Sequence, residues 1–264
     1  MIRVFTKRTK WTPIDENVFI GDPPFEFMRP PAQNINISVT FTWDIKEGRR
    51  LLKEWSKFYS NVQIGGPAFG DPGDEFIPGR YLKKGITITS RGCPHSCKYC
   101  YVPNREGKIR ELNIPDGYIL QDNNILACSD PHIDRVFSML KRQNRGVVFS
   151  GGLDPLLFSE KHLRLLENIK IKELWFSCDS LGSLKSLTNT SKLIEDISVD
   201  KKRCYVLMGF NGETLIQAQR RVEKVYELEF LPFAQLYRGD EALHYSKEWN
   251  ALARKWSRPA IYRA

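Results

Sequence analysis

The sequence has few histidines and no long apolar segment. Only four histidines occur in 264 residues. No apolar run approaches the roughly 18 residues that a membrane-spanning helix needs. The first residues, Met1 to Arg8, are too polar for a secretion signal. We therefore expect a cytoplasmic protein with no membrane partner, in which thiols stay reduced and clustered cysteines act as ligands rather than as disulfides.

Repeats and low-complexity segments are also absent. Hydrophobic residues make up 41% of the chain and charged residues 27%, which is typical of a folded domain rather than a disordered one. The length suits one large domain, or one medium domain with a small addition.

The sequence has fewer acidic than basic residues. Lys and Arg total 40 against 31 Asp and Glu, a net charge of +9, which favours an anionic partner such as nucleic acid or a nucleotide. An ordinary solvated surface is the alternative. Near the end, cations that can contact phosphates alternate with aromatic rings that can stack on bases: Arg254, Lys255, Trp256, Arg258, Tyr262 and Arg263. The helical spacing of Trp249, Leu252 and Trp256 equally predicts a helix that packs on the rest of the chain.

Three of the six cysteines lie in one short segment. Cys93, Cys97 and Cys100 form a C-x3-C-x2-C pattern, with Tyr99 before the last cysteine. Three thiolates on one loop can hold three irons of a 4Fe–4S cubane and leave the fourth iron open for a ligand. The alternatives are a zinc knuckle completed by His95 and a ferredoxin cluster. Structural zinc usually has two separated ligand pairs, and a bacterial ferredoxin uses C-x2-C-x2-C with a distant fourth cysteine.

Residues 1–80 predict a small, truncated α/β domain of Rossmann-like type. Alternating or short apolar runs predict strands, and Asp44 can cap a helix over residues 45–59. A strand–helix–strand sequence forms a right-handed parallel unit. The predicted strands cover residues 2–5, 35–42 and 62–64.

Residues 81–264 predict a parallel α/β domain, because strand and helix patterns alternate through six steps. Such sheets bind ligands at the carboxyl ends of their strands, so the residues that follow each strand are candidate site residues. The predicted strands cover residues 85–90, 118–121, 147–149, 174–176, 204–208 and 230–236. The predicted helices begin near 129, 159, 213 and 246.

The cysteine spacing, the tyrosine and the six-step layout resemble the radical SAM superfamily. The resemblance implies a partial (β/α)6 TIM-type barrel and a 4Fe–4S cluster on Cys93, Cys97 and Cys100, whose open iron chelates S-adenosylmethionine (SAM). It further implies reductive cleavage of SAM to a 5′-deoxyadenosyl radical, which abstracts a hydrogen atom from a substrate. A flavodoxin- or ferredoxin-type protein would supply the electron.

The resemblance also assigns cofactor contacts at strand ends. They are Tyr99 beside the cluster, Gly151 and Gly152 at the SAM amino group, Ser177 and Asp179 at its carboxylate or ribose, Gly209 near adenine, and Gln235 in the adenine or substrate pocket. Two acidic residues stand one position later than in the family pattern, Asp154 after the glycine pair and Glu213 after Gly209. For Glu213 the alternative is a charge at a helix N-terminus.

Two further cysteines, Cys128 and Cys178, follow predicted strands. Each could face the cavity and donate a hydrogen atom or form a covalent adduct, but a small buried apolar role is the alternative for both. Cys204 opens a strand and His132 and His162 lie in predicted helices, so we expect packing or surface roles for these three.

Missing motifs narrow the function. Residues 1–80 lack the Asp-x-His-x-x-Gly motif of cobalamin domains, so cobalamin binding is not expected. No second cysteine cluster and no C-terminal RNA-binding barrel are expected, so peptide-modifying enzymes with auxiliary clusters and ordinary tRNA methylthiotransferases match poorly. The whole chain resembles a compact phage-type radical SAM group with no assigned reaction. Three functions stay open. The protein could be a radical SAM enzyme that acts on a nucleic-acid base or nucleotide, a radical SAM enzyme that acts on a peptide or small metabolite, or a non-catalytic iron–sulfur scaffold or sensor.

Overall fold

A computed structural model of the chain describes residues 1–239 and 244–263 and shows two parallel sheets with helices packed on them. The last residue of the predicted C-terminal tail, Ala264, lies outside the described residues. The strands are β1 (Ile2–Phe5), β2 (Val18–Ile20), β3 (Ile35–Ser38), β4 (Val62–Gly65), β5 (Ile86–Thr87), β6 (Ser90–Arg91), β7 (Arg110–Glu111), β8 (Ile119–Leu120), β9 (Val147–Phe149), β10 (Ile171–Ser177), β11 (Lys202–Met208) and β12 (Leu231–Leu236). The helices are α1 (Ile45–Trp55), α2 (Val102–Arg105), α3 (Asp130–Lys141), α4 (Glu160–Leu166), α5 (Ser183–Leu193), α6 (Leu215–Glu227), α7 (Lys247–Trp256) and α8 (Pro259–Tyr262).

The first sheet has the order β2-β1-β3-β4, and all its strands are parallel. Helix α1 buries Leu51 and Trp55 against the apolar residues of β1 and β3, and the Trp55 indole N–H donates to the carbonyl oxygen of Gly21. The sequence pattern did not predict β2, because this short, half-buried edge strand shows no apolar alternation. Strand β3 ends at Ser38, earlier than predicted, and a 3-10 turn over Thr42–Asp44 leads into α1.

The second sheet contains six parallel strands in the order β5-β8-β9-β10-β11-β12. Each strand pairs with the next parallel strand along the chain, which is what a run of right-handed β–α–β crossovers produces. The predicted α/β class with parallel strands is thereby confirmed. The sheet is open, since its edge strands β5 and β12 do not pair with each other in the described residues. A partial barrel stays a prediction, as does a domain boundary near residue 80.

The first predicted strand of this sheet differs from expectation. Residues 85–90 do not form one strand, because the parallel pairing ends after Thr87 and the chain turns. Ser90 and Arg91 then form β6, which pairs antiparallel with β7.

The C-terminal helices cover β12 and α6. Trp256 is buried, stacks on Tyr262 with ring centroids 5.0 Å apart, and contacts Tyr226. The Tyr262 hydroxyl donates to the carbonyl oxygen of Pro232. This placement favours the packing role of Trp256 over base stacking. Within the described residues, no helix is long and apolar enough to cross a membrane.

Candidate functional site

The three cysteines lie in a loop of residues 92–101, here called the cysteine loop, between β6 and β7. The antiparallel pairing of these strands joins the two flanks of the loop. The backbone N–H of Cys93 donates to the carbonyl oxygen of Gly107 over 3.2 Å, and that of Gly92 donates to Asn123 Oδ1 over 3.0 Å. The loop is therefore held beside the residues that follow β8, at the carboxyl edge of the second sheet.

The three thiols of this loop are half-buried and free. Burial raises the pKa of Cys100, and the neighbouring thiols of Cys97 and Cys93 raise it further, so the three sulfurs lie close enough to interact. Among the described residues, no three His, Cys, Asp or Glu side chains are gathered around a point that could hold one metal ion. In a 4Fe–4S cubane each thiolate binds a different iron.

Asp154 connects the cysteine loop to two other strand ends, and we call this set of contacts the Asp154 network. Its Oδ2 lies 2.5 Å from His95 Nε2 and accepts from Asn124 Nδ2 over 3.0 Å, while Oδ1 accepts from the backbone N–H of Leu156 over 2.9 Å. Asn124 Nδ2 also lies 3.5 Å from the sulfur of Cys93. The acidic residue after the glycine pair thus holds the cysteine loop, which accounts for its displaced position.

Asp122 anchors the turn from β5 into β6. Its carboxylate accepts from the backbone N–H of Thr89 and the Thr89 hydroxyl, both over 2.6 Å, and from the Ser90 hydroxyl over 2.8 Å. Asp122 is 1% exposed, and burial raises its pKa to about 6 even though these hydrogen bonds oppose the shift. The sequence analysis missed Asp122 and Asn124, although both follow a predicted strand and the strand-end rule could have identified them.

The two predicted SAM-binding glycines lie in different surroundings. A Cβ on Gly151 would clash with the carbonyl oxygen of Asp122, so glycine here permits two strand ends to approach each other. Gly152 has a φ of +97°, and a Cβ added there would meet no heavy atom within 4 Å. Gly151 is exposed and Gly152 is half-buried, and the cofactor role of both glycines stays a prediction.

Tyr99 and Asp179, both predicted cofactor contacts, meet each other. The Tyr99 hydroxyl hydrogen-bonds to the Asp179 carboxylate, which also accepts from the backbone N–H of Leu207 over 2.9 Å. Burial raises the pKa of both Tyr99 and Asp179. The Tyr99 ring packs edge-on against Phe210, with centroids 5.5 Å apart. The cysteine loop therefore reaches the ends of β10 and β11 as well.

Gly209 and Glu213 contact each other and other residues of the protein. Glu213 accepts from the backbone N–H of Gly209 over 2.9 Å and forms an ion pair with the buried Arg221 over 2.7 Å. Arg221 also donates to two carbonyl oxygens near the ends of β10 and β11, each over 2.5 Å. A Cβ on Gly209 would lie 2.7 Å from the ring of Tyr245. These contacts favour a structural role for Glu213 over an adenine contact.

Ser177 and Gln235 belong to the face of the sheet opposite its buried apolar side chains. Ser177 is half-buried at the end of β10, and Gln235 is exposed on β12. Trp175 lies on the same face, stacked on Tyr205 with centroids 4.3 Å apart and 5.8 Å from Phe233. The sequence analysis did not identify this aromatic group, although period-two alternation along β10 and β11 would have placed these rings on one face.

The cysteines outside the loop are buried in the core. Cys128 is 8% exposed and Cys178 is 0% exposed, and burial raises the pKa of each thiol to about 11. Cys178 lies 3.6 Å from the Ser183 hydroxyl, and Cys204 is fully buried as expected. This placement favours the small apolar role for Cys128 and Cys178, and their catalytic roles stay predictions. His132 is also buried, 3.3 Å from the Thr89 hydroxyl.

One family model, described as a 4Fe-4S single cluster domain, matches residues 83–202. The matched segment, just under half of the chain, contains the cysteine loop, the Asp154 network and the strands from β5 to β10. Comparison with curated proteins gives no match. The family match supports an iron–sulfur protein with a single 4Fe–4S cluster.

Proposed function

We propose that the protein is a radical SAM enzyme. The observation that carries the proposal is the three-cysteine loop, which lies at the carboxyl edge of a six-stranded parallel sheet and contacts the ends of β8 to β11. The matched family is one associated with radical SAM proteins. A bound 4Fe–4S cluster with SAM on its open iron supplies one-electron cleavage of SAM and a carbon radical that abstracts hydrogen.

Different residues of the chain would hold the cluster and SAM. Cys93, Cys97 and Cys100 supply the three thiolates, and the Asp154 network keeps their loop against the sheet. The backbone of Gly151 and Gly152 would contact the SAM amino group. The hydrogen bond between Tyr99 and Asp179 closes the opposite side of the loop. We further propose that the open sheet is a partial (β/α)6 barrel whose inner face carries Ser177, Gln235 and the three aromatic rings.

A nucleic-acid base or a nucleotide is the substrate class that we propose. The net charge of +9 and the aromatic face of Trp175, Tyr205 and Phe233 support it, because cations attract phosphates and rings stack on bases. A flavodoxin- or ferredoxin-type reductant would deliver the electron. We propose no cobalamin, because no histidine precedes His95.

Anaerobic reconstitution tests the class of enzyme. The wild-type chain should hold about four irons, show an electron paramagnetic resonance signal that changes when SAM is added, and release 5′-deoxyadenosine after reduction with dithionite. Replacement of all three loop cysteines with alanine should abolish iron binding, whereas Cys128→Ala should retain it. If SAM does not change the spectrum of the cluster and no 5′-deoxyadenosine is released, the radical SAM proposal is rejected. The non-catalytic scaffold or sensor would then be the remaining interpretation.

A further inference from the structure

The first sheet contains a ligand cleft of its own. Its strand order places β1 next to β3, and the connections from these two strands leave toward opposite sides, with β2 beyond β1 and β4 beyond β3. In open parallel sheets such a reversal opens a crevice at the carboxyl ends of the two central strands, where ligands bind. A shallow cleft that is open to solvent lies there, and its lining includes Lys7, Thr9, Thr12, Ser38, Phe41 and Asp44.

Lys7 and Asp44 form an ion pair in this cleft. Lys7 Nζ lies 2.8 Å from Asp44 Oδ2, and the Lys7 side chain is 46% exposed. Asp44 is far less exposed, at 16%, and its Oδ2 is buried without a hydrogen-bond partner of proper geometry. An ammonium carries three N–H donors, so Lys7 keeps donors for a second anion. The Asp44 oxygen is suited to accept from a ligand hydroxyl.

An aromatic platform adjoins the two charges. The rings of Phe41 and Trp43 stack with centroids 4.8 Å apart and planes 10° apart. Trp43 is 56% exposed, which is unusual for so large an apolar ring. Lys7 Nζ lies 4.8 Å from the Phe41 centroid, so the platform and the cation belong to one site.

We propose that this cleft binds a nucleotide, either free or as one residue of a nucleic acid. Lys7 and the cleft hydroxyls would contact the phosphate, Asp44 would accept from a ribose hydroxyl, and the Phe41–Trp43 platform would stack on the base. A nucleotide would contact all three features, whereas inorganic phosphate would not contact the rings and a nucleoside would not place a phosphate at Lys7. The site lies on a different sheet from the cysteine loop, so it stands whether or not the chain cleaves SAM.

One residue of the second sheet approaches the platform. The guanidinium of Arg238, which follows β12, lies 5.6 Å from the centroid of Trp43. A nucleotide bound to the platform would therefore lie near the end of β12. This position fits a site that holds part of a larger substrate or a nucleotide effector.

Isothermal titration calorimetry on the cluster-loaded full chain tests the site, with adenosine 5′-monophosphate, adenosine, inorganic phosphate and an adenine hexaribonucleotide as probes. We expect the monophosphate to bind more tightly than adenosine or phosphate. Tighter binding of the hexaribonucleotide than of the monophosphate would identify nucleic acid as the source, and equal or weaker binding would identify the free nucleotide. Trp43→Ala should weaken binding by about tenfold or more through loss of stacking.

Lys7→Gln should weaken binding of the monophosphate by about tenfold but leave binding of adenosine unchanged. Lys10→Gln is the matched control, because Lys10 lies over a neighbouring ring, that of Trp11, at 4.4 Å and does not line the cleft. Saturating SAM should not displace the probe. Absence of binding at millimolar nucleotide, displacement by SAM, or unchanged affinity in Trp43→Ala and Lys7→Gln would each overturn the proposal without affecting the cysteine site.

Discussion

Removal of the Asp154 carboxylate should weaken the attachment of the cysteine loop to the sheet. Asp154 contacts the loop, the residues after β8 and its own turn through His95, Asn124 and the Leu156 N–H. Its side chain is 13% exposed and that of His95 is 36% exposed. The contacts are therefore partly shielded from water, and their loss leaves donors unpaired near the thiols.

The size of the effect follows from two side-chain contacts to a charged acceptor. Each such hydrogen bond contributes about 1.5–3 kcal/mol. Because His95 is partly exposed, we use the lower value, which gives about 3 kcal/mol for the pair in Asp154→Ala. This free energy corresponds to roughly a 100-fold larger population of the released loop. Asp154→Asn keeps one carbonyl acceptor and should show a smaller effect, of about tenfold.

The rate at which a chelator removes iron from the reconstituted protein reports on this population. We expect iron loss to be about 100 times faster in Asp154→Ala than in wild type, and the free energy of unfolding of the cluster-free chain to fall by at most about 3 kcal/mol. His95→Ala should speed iron loss as well. Because the two residues share one contact, the double variant should lose less than the sum of the single losses.

Glu160→Gln is the control for removal of an acidic charge, since its side chain is 76% exposed and distant in sequence from the loop. An Asp154→Ala protein that keeps its iron as long as wild type would refute the role of the network. Fully additive effects of Asp154→Ala and His95→Ala would refute their coupling.

The remaining predictions concern stability, measured by urea unfolding. Gly151→Ala should lower the free energy of unfolding by about 2 kcal/mol or more, because its Cβ would clash with a backbone oxygen. Gly182→Ala, where a Cβ has room, should leave the stability nearly unchanged. Equal losses in the two variants would contradict this prediction. Arg221→Met should cost about 3–5 kcal/mol because it leaves a carboxylate and two carbonyls without their donor. The exposed neighbour Arg220→Met should cost little, and a loss below about 1 kcal/mol at Arg221 would refute the role of the ion pair. The pKa of Asp122 is about 6 in the folded state and 3.8 in the unfolded state. Between these two pH values the Asp122 carboxyl is therefore protonated in the folded state and ionised in the unfolded state. Stability should therefore fall by about 3 kcal/mol as the pH rises from about 4 to 6, and Asp122→Asn should remove this slope; an unchanged slope would disprove the assignment.

Several features followed from local sequence patterns. The C-x3-C-x2-C spacing depends on residues within one loop, so it identified the candidate iron ligands without a fold. The strand and helix alternation after residue 82 predicted six parallel strands, because strand pairing in such sheets follows chain order. The rule that ligands lie at strand ends directed attention to the edge of the sheet beside which the cysteine loop lies.

Other features depend on contacts between residues far apart in the chain. His95 and Asp154 are 59 positions apart, and Arg221 and the carbonyl of Cys178 are 43 apart. No local pattern encodes such pairs. Gly151 therefore looked like a ligand-binding glycine, although a neighbouring strand end requires it. Cys178 looked like a cavity thiol, although it is buried under α5.

The sequence by itself determined the three thiolates, the parallel α/β class and the excess of positive charge, because each is a property of composition or of short spacing. Only the tertiary structure decided that Asp154 holds the cysteine loop, and that the residues after β1 and β3 form a second cleft. Both depend on which strand ends become neighbours. That choice is made by the packing of whole sheets and helices, in which burial of apolar faces outweighs the preference of any single segment.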